Sequence, residues 1–464
     1  MIKINATAGQ MLVVRLLMTN IKRWKSRHDW RDSHMPETEF KTSDVTAISS
    51  ISRWKNLLYL GVLILLVAFC DPNEGFIAIP LGFILKNKLN FEAYQLSAFR
   101  LVAAIPLYFS FVFGFVHDTW NPLGLRDRGY LIIFSVISVG LFLFFAFAPV
   151  TYLTLLAAIF LLTCAYLFID SAKYGLSATL ARQHVMSGQV SVLWSVFTAL
   201  PTVAALVIGG HVSDVVEEID ADQAIKNLFI LAAVLALMLA IYGLWKPSSV
   251  FASIRPEYPS NDRIAVKLKR FITHWPIYPA LLIWLLFKFA PGVSTPLQYY
   301  LQDTLNAADH YWGEWNAIFY ASRIPIYLLY AMLCRRFPLR ILIWIGTLVT
   351  IPQFLPLLFV DTVTSALIAA ALIGIMGAIA NAAYLDLIIR SCPNGLQGTM
   401  IMLASALYYV SNRFGDLLGV LLYSHGGFAA CVTAITIVYC LIVPVLLLVP
   451  KELTAYADLG TAPR

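Results

Sequence analysis

The chain has 464 residues, of which 59% are hydrophobic and only 13% charged, and its mean hydropathy is +0.75. No soluble core hides that much apolar surface, so the composition excludes an ordinary globular protein and points to an integral membrane protein of about a dozen spans. The formal charge of +7 reads as membrane topology rather than as a nucleic-acid footprint, because of where the basic residues fall.

Residues 1–54 are the most polar part. Met1 to Arg27 carries Lys3, Arg15, Lys22, Arg23, Lys25 and Arg27 with no acidic residue. An interfacial amphipathic segment, an organelle-targeting peptide and a disordered extension from a mis-assigned start all fit that pattern. Apolar runs of about 20 residues between polar breaks then predict helices. The first set lies over 55–85, 93–117, 129–148, 151–181, 187–211 and 224–246. A second set lies over 275–303, 311–334, 338–359, 362–391, 396–424 and 427–449. Between them runs Lys246 to His274, with Pro247, Pro256, Pro259 and the basic group Lys267, Lys269 and Arg270. The expected organisation is an N-terminal extension (1–54), a bundle (55–246), a linker (247–274), a second bundle (275–450) and a tail (451–464).

Basic residues set the orientation. One side holds the N-terminal segment, Arg126, Arg128, Arg182, the linker, Arg335, Arg336, Arg340, Arg390 and Lys451. The other holds Lys86, Lys88, Lys226 and the acidic run Asp214 to Asp222. Both termini and the linker are therefore expected in the cytoplasm. The six cysteines form no CxxC pair and most sit in apolar runs, so neither a disulfide framework nor a metal site is implied. There is no P-loop, and the histidines show no ligand spacing. No cofactor, no enzyme activity and no nucleic-acid partner is expected.

Ionisable residues inside the spans carry the functional reading, since a charge in hydrocarbon costs at least ~2.5–3.5 kcal/mol and so faces a cavity or a partner. Asp170 and Lys173 lie three residues apart on one helix face, within an apolar run that begins near Tyr152. Either they pair and lock the bundle, or they have a functional or gating role. Asp71 lies about halfway along the first predicted helix, beside Pro72; Lys288 precedes Pro291-Gly292, so the first helix of each half carries a charge next to a break. Arg323 falls mid-helix with Pro325 two residues on, while Arg413 and Asp416 lie three apart in the outer half of helix 11. Asp386 and Arg390 close helix 10, mirroring Asp170 and Lys173 in helix 4.

The loop between helices 2 and 3 reads Gly114-Phe115-Val116-His117-Asp118, then Leu123-Gly124-Leu125-Arg126-Asp127-Arg128-Gly129. It resembles the cytoplasmic signature of the major facilitator superfamily, and Cys334-Arg335-Arg336-Phe337-Pro338-Leu339-Arg340 looks like its degenerate repeat in the second half. The resemblance implies an all-α membrane protein of twelve transmembrane helices in two pseudo-symmetric six-helix bundles. A narrower likeness covers Arg390-Ser391-Cys392-Pro393-Asn394-Gly395-Leu396-Gln397-Gly398-Thr399 and Gly415-Asp416-Leu417-Leu418-Gly419. It is similar to the folate–biopterin transporter family, whose fourth-helix aspartate fits Asp170. Two positions depart from that family: Gln397 stands where an acidic residue is expected, and the basic doublet is split as Arg126-Asp127-Arg128.

The expectation is a monomeric secondary transporter in the lipid bilayer (the inner cell membrane in a bacterium). It would move a small anionic organic solute, folate- or pterin-like by resemblance, with protons as a possible coupling ion. Lys288, Arg323, Asp71 and Arg413 form the expected substrate-binding set. Asp170, Lys173, Asp118, Arg126, Arg128, Asp386 and Arg390 form the expected coupling or gating set. Two alternatives stand beside it: a scaffold or assembly factor with this fold and no transport, or a carrier for another solute class.

Overall fold

The computed structural model describes residues 50–73, 77, 81, 84–85, 89, 93–217, 220–251, 264–291, 293, 295–307, 310–393 and 395–458. Most of the predicted N-terminal extension, Lys86 and Lys88, and Pro256 and Pro259 of the linker lie outside the described residues.

Among the described residues every regular element is helical, the one solution by which an isolated segment satisfies its own backbone in hydrocarbon. In chain order, α1 is Ser50–Phe69. α2 is broken into Ala93–Ala103, Ile105–Tyr108 and Ser110–Thr119, the middle piece carrying Pro106. α3 is Asp127–Ala146, α4 Tyr152–Gln183, α5 Ser187–Glu217 and α6 Ala221–Leu244. The linker contributes a helix over Ile264–Thr273. α7 is Ile277–Lys288, resuming after a break as Thr295–Tyr299. α8 is His310–Leu333, α9 Leu339–Thr350 and α10 Val363–Ser391. The helical run Gln397–Cys440 is two elements, because Gly427 has φ 68° and ψ −173°. Cys431 Sγ lies 3.3 Å from Gly419 O, whereas twelve residues of continuous helix span about 18 Å. The chain therefore doubles back there, giving α11 (397–426) and α12 (428–440).

The prediction placed the first helix over 55–85. The structure begins it at Ser50 and ends it at Phe69, because Pro72 removes a donor and disfavours helix in the residue before it. Asp71 therefore sits in the turn that ends α1, where its Oδ1 accepts from Asn73 N at 2.8 Å. α9 is likewise shorter than predicted and passes through a tight turn over Leu355–Phe359, after Pro352.

Repeated sequence devices make the two halves alike. α4 opens on a reciprocal capping box between Thr151 and Thr154, and α10 on the same device between Thr362 and Ser365. α3 packs on α6 and α4, as α9 does on α10. Across the halves α2 packs on α11 and α5 on α8, while α4 meets α11 and α5 meets α10. These are two copies of one contact scheme related by a pseudo-twofold. Outward faces carry exposed Leu58, Val136, Leu161, Ile241, Leu348, Ile368, Leu421 and Ile437, an apolar surface suited to lipid. Seven of the described helical segments are long and apolar enough to cross a membrane, the last of them (Gln397–Leu446) containing the Gly427 fold-back.

Candidate functional site

A cavity of about 430 Å³ lies between the halves. Asp71, Asp170, Lys173, Lys288 and Arg323 all line it, so helix breaks and helix interiors from α1, α4, α7 and α8 deliver their charges to one chamber. Lys288 is the last residue of the first piece of α7. Its Nζ donates to Asn381 Oδ1 of α10 at 2.9 Å and lies 4.4 Å from the Trp284 ring centre and 5.4 Å from that of Tyr408. Asn381 in turn donates to Ser195 Oγ of α5 at 3.3 Å and Tyr327 Oη of α8 at 3.2 Å.

One face of α8 forms a ladder. Trp312 and Trp315 stack at 5.9 Å and 9°, Trp315 and Phe319 at 5.2 Å and 20°, and the Arg323 guanidinium carbon lies 3.8 Å above Phe319. Spacing of three and four residues puts these side chains one above another. Within it two buried donor atoms have no hydrogen-bond partner, Trp315 Nε1 and Arg323 Nε, while the Arg323 guanidinium also hydrogen-bonds Tyr327. A buried charged donor left unmet costs more than the ~1–3 kcal/mol of a neutral one.

Lys173 Nζ pairs with Asp170 Oδ1 and lies 3.8 Å from the Tyr174 ring centre. Arg413 is exposed and does not line the cavity, although its neighbour Asn412 does. One residue's step turns a side chain about 100° around a helix. Nor does Asp416 answer Arg413 in the way their spacing suggested: it lines the cavity and accepts from Thr295 N at 2.9 Å and Thr295 Oγ1 at 2.8 Å. It thereby caps the second piece of α7.

The remaining predicted residues gather at the end of the bundle that carries the linker, where Asp118 and Arg390 tie the halves together and Arg126 and Arg128 do not. Asp118 Oδ2 accepts from Thr399 N at 2.7 Å and Thr399 Oγ1 at 2.6 Å, in the first turn of α11. His117 bridges Asp118 and Asp127 at 3.0 Å each, a role its place at a helix end did not suggest. Arg182 Nη1 donates to Cys392 O at 2.6 Å, and His274 Nε2 stands 2.9 Å from Ser391 O. Burial lowers the pKa of His274, so it meets that carbonyl as a neutral ring with Nε2 protonated. Arg128 donates to Gly243 O at 3.1 Å and Leu244 O at 2.7 Å, capping α6 within its own half. Arg126 is exposed at a positive φ of 51°. Asp386 and Arg390 pair at 2.8 Å. Arg390 also reaches Ser187 Oγ of α5 at 3.0 Å and Asp458 Oδ1 of the tail at 3.0 Å.

Asn381, Ser195 and Asp458 were not among the predicted residues. Asn381 had a signal, an amide within Ala378-Ile379-Ala380-Asn381-Ala382-Ala383. Asp458 had none, being one acid in a polar tail. Among the described residues no group of three or more His, Cys, Asp or Glu side chains is placed to hold a metal ion.

Several solved structures share this architecture. The human organic anion transporter MFSD10 (TETRAN) is similar at 15% identity and a TM-score of 0.55, over 84% of this chain and 98% of that one. The major facilitator superfamily transporter FucP, in its outward conformation, superposes with a TM-score of 0.62 at 14% identity, over 86% of this chain and 99% of that one. The proton:xylose symporter XylE gives 0.62 at 13% identity, covering 86% and 98%. No curated protein matches the chain. Fold and cavity together define a multi-pass integral membrane protein with the major facilitator fold. Residues 126–433 match the MFS_1 like family, and the chain belongs to it.

Proposed function

We propose that this protein is a secondary active carrier of a small anionic organic solute, working by alternating access of its two halves around the central cavity. The observation that carries this reading is Arg323. Its guanidinium lies in the cavity wall over Phe319 with Nε buried and unmet, and Arg presents planar donors that suit carboxylate or phosphate. Lys288 adds a second cation to the cavity lining, joined to the wall of α8 through Asn381 and Tyr327. The stacked rings of α8 suit a flat solute, in keeping with the pterin-like resemblance of the sequence. Asp170 and Asp71 are the candidate proton carriers, since protonation removes the desolvation cost of a buried carboxylate. The basic loops put the linker end in the cytoplasm, and the bundles run over 55–246 and 275–450. In this frame the ties at the linker end close the cytoplasmic gate.

The test is uptake of radiolabelled anionic solutes, pterins and folates among them, into proteoliposomes under an imposed pH gradient. Arg323→Ala is expected to abolish uptake at substrate levels that saturate the wild type. Normal uptake by both Arg323→Ala and Lys288→Ala sinks the site assignment. Uptake indifferent to the pH gradient sinks proton coupling.

A further inference from the structure

The linker-end gate is made of two related contacts, built with different materials. In one, Asp118 at the end of α2 caps the first turn of α11 through Thr399. Its pseudo-twofold partner is the end of α8 against the first turn of α5, because α2 with α11 and α8 with α5 are equivalent pairs. The glycines correspond as well. A Cβ on Gly398 would stand 2.7 Å from Asp118 Oδ1, and one on Gly188 would stand 2.8 Å from Cys334 Cβ. Yet α8 runs out into Cys334-Arg335-Arg336 and offers no carboxylate there.

Asp458 of the C-terminal tail stands in that place. Its Oδ2 accepts from Gln189 N of α5 at 3.0 Å, and Ser187 Oγ lies 3.5 Å from Oδ1. Its own N–H donates to Cys334 O at 2.8 Å, and Cys334 Sγ lies 3.8 Å from Oδ2. The tail is further held by Arg390 Nη1, which donates to Tyr456 O at 2.8 Å, and by Leu339 N, 3.4 Å from the same oxygen. The residue is 1% exposed.

We propose that the segment from Pro450 to Asp458 is a latch that completes the second half of the gate. Asp458 supplies in trans the carboxylate cap of α5 that the end of α8 lacks, so α5 parts from α10 only when the tail leaves. Asp458 is a positioning residue acting through α5 and Arg390, and it touches no solute. Facing it are Arg390 and Asp386 of α10, Tyr330 and Cys334 of α8, Tyr456 of the tail, and Arg53 of α1 within electrostatic reach. One arginine thus serves two buried carboxylates. The burial of Asp458, with Asp386 beside it, raises its pKa to about 7.

The latch rests on the two-half carrier reading, but its test needs no solute. Full-length protein in nanodiscs is treated with a small maleimide, and labelling of native Cys334 is read by peptide mass spectrometry as the labelled fraction of its peptide, with buried Cys431 as the control for unfolding. Asp458→Ala is expected to raise Cys334 labelling about tenfold with Cys431 unchanged. Labelling within twofold of the wild type overturns the latch. Should that variant fail to fold, Leu339→Cys with Tyr456→Cys in a Cys334→Ser background decides, because it keeps Asp458 and joins two residues whose backbones meet at 3.4 Å. Oxidation is expected to join the tail to α9, and the absence of that disulfide overturns the proposal. A labelled, cross-linkable latch in a protein that takes up no solute would count against the carrier and leave the latch standing.

Discussion

At the scale of single residues, the site divides into charges already answered and donors kept open. Asp170 and Lys173 answer each other inside α4, both buried. Removing one partner of a buried pair costs about 3–5 kcal/mol, so Asp170→Ala is expected to lower the melting temperature more than the double variant with Lys173→Ala. A double variant as unstable as the single one would mean that the pair is no unit. Arg323 hydrogen-bonds Tyr327 and keeps only its Nε open. Arg323→Lys keeps the charge and loses the stacked planar donors, and with a charged hydrogen bond worth about 1.5–3 kcal/mol a 10- to 100-fold weaker solute affinity is expected in titrations. Asp458 gives a pH dependence whose sign follows from linkage. Its pKa in the docked tail is about 7, above the roughly 3.9 of an exposed aspartate, so docking takes up a proton between those values. The stabilisation of the docked tail is full below the lower value and is lost as pH rises through about 7. Hydrogen exchange of the 451–458 peptide, corrected for intrinsic rate, should accelerate from pH 6 to 8, and Asp458→Asn should flatten that trend.

At the scale of elements, breaks matter as much as helices. α1 and α7, first in their halves, both end on a cavity charge or just before one, Asp71 and Lys288. Free backbone groups at such ends need partners, and carboxylates supply them: Asp71 Oδ1 accepts from Asn73 N, and Asp416 Oδ1 from Thr295 N. The close crossing of α2 and α11 depends on glycine at both faces. A Cβ on Gly114 would meet Gly398 O at 2.8 Å, and one on Gly398 would meet Asp118. Gly398→Val is therefore expected to push α11 off α2 and raise maleimide labelling of buried Cys392 several-fold. Unchanged labelling would show that the crossing tolerates the bulk.

At the scale of the molecule, the ties between halves crowd toward the linker end, while the cavity extends past them to Trp312, Asn316 and Asp416. Under the carrier reading proposed above, that arrangement is a gate shut on one side. Asp118→Cys with Thr399→Cys replaces a 2.6 Å side-chain contact with a disulfide of compatible reach. Oxidation is expected to arrest proteoliposome uptake and reductant to restore it; full activity of the oxidised form would deny that the halves part there. The residue chemistry of the chain alone decided that it crosses a membrane many times, that its basic loops share one side, and that Lys288, Arg323 and Asp170 needed a chamber. Those are matters of run length and of the cost of a bare charge in hydrocarbon, both local quantities. Only the tertiary structure decided which charges meet. Rotation by one residue sends Arg413 outward while Asn412 faces in, and Asp416 turns to Thr295 across 121 positions. Asp458 reaches Gln189 across 269. No local pattern encodes such pairings, because they depend on how helices distant in the chain turn and lean on one another.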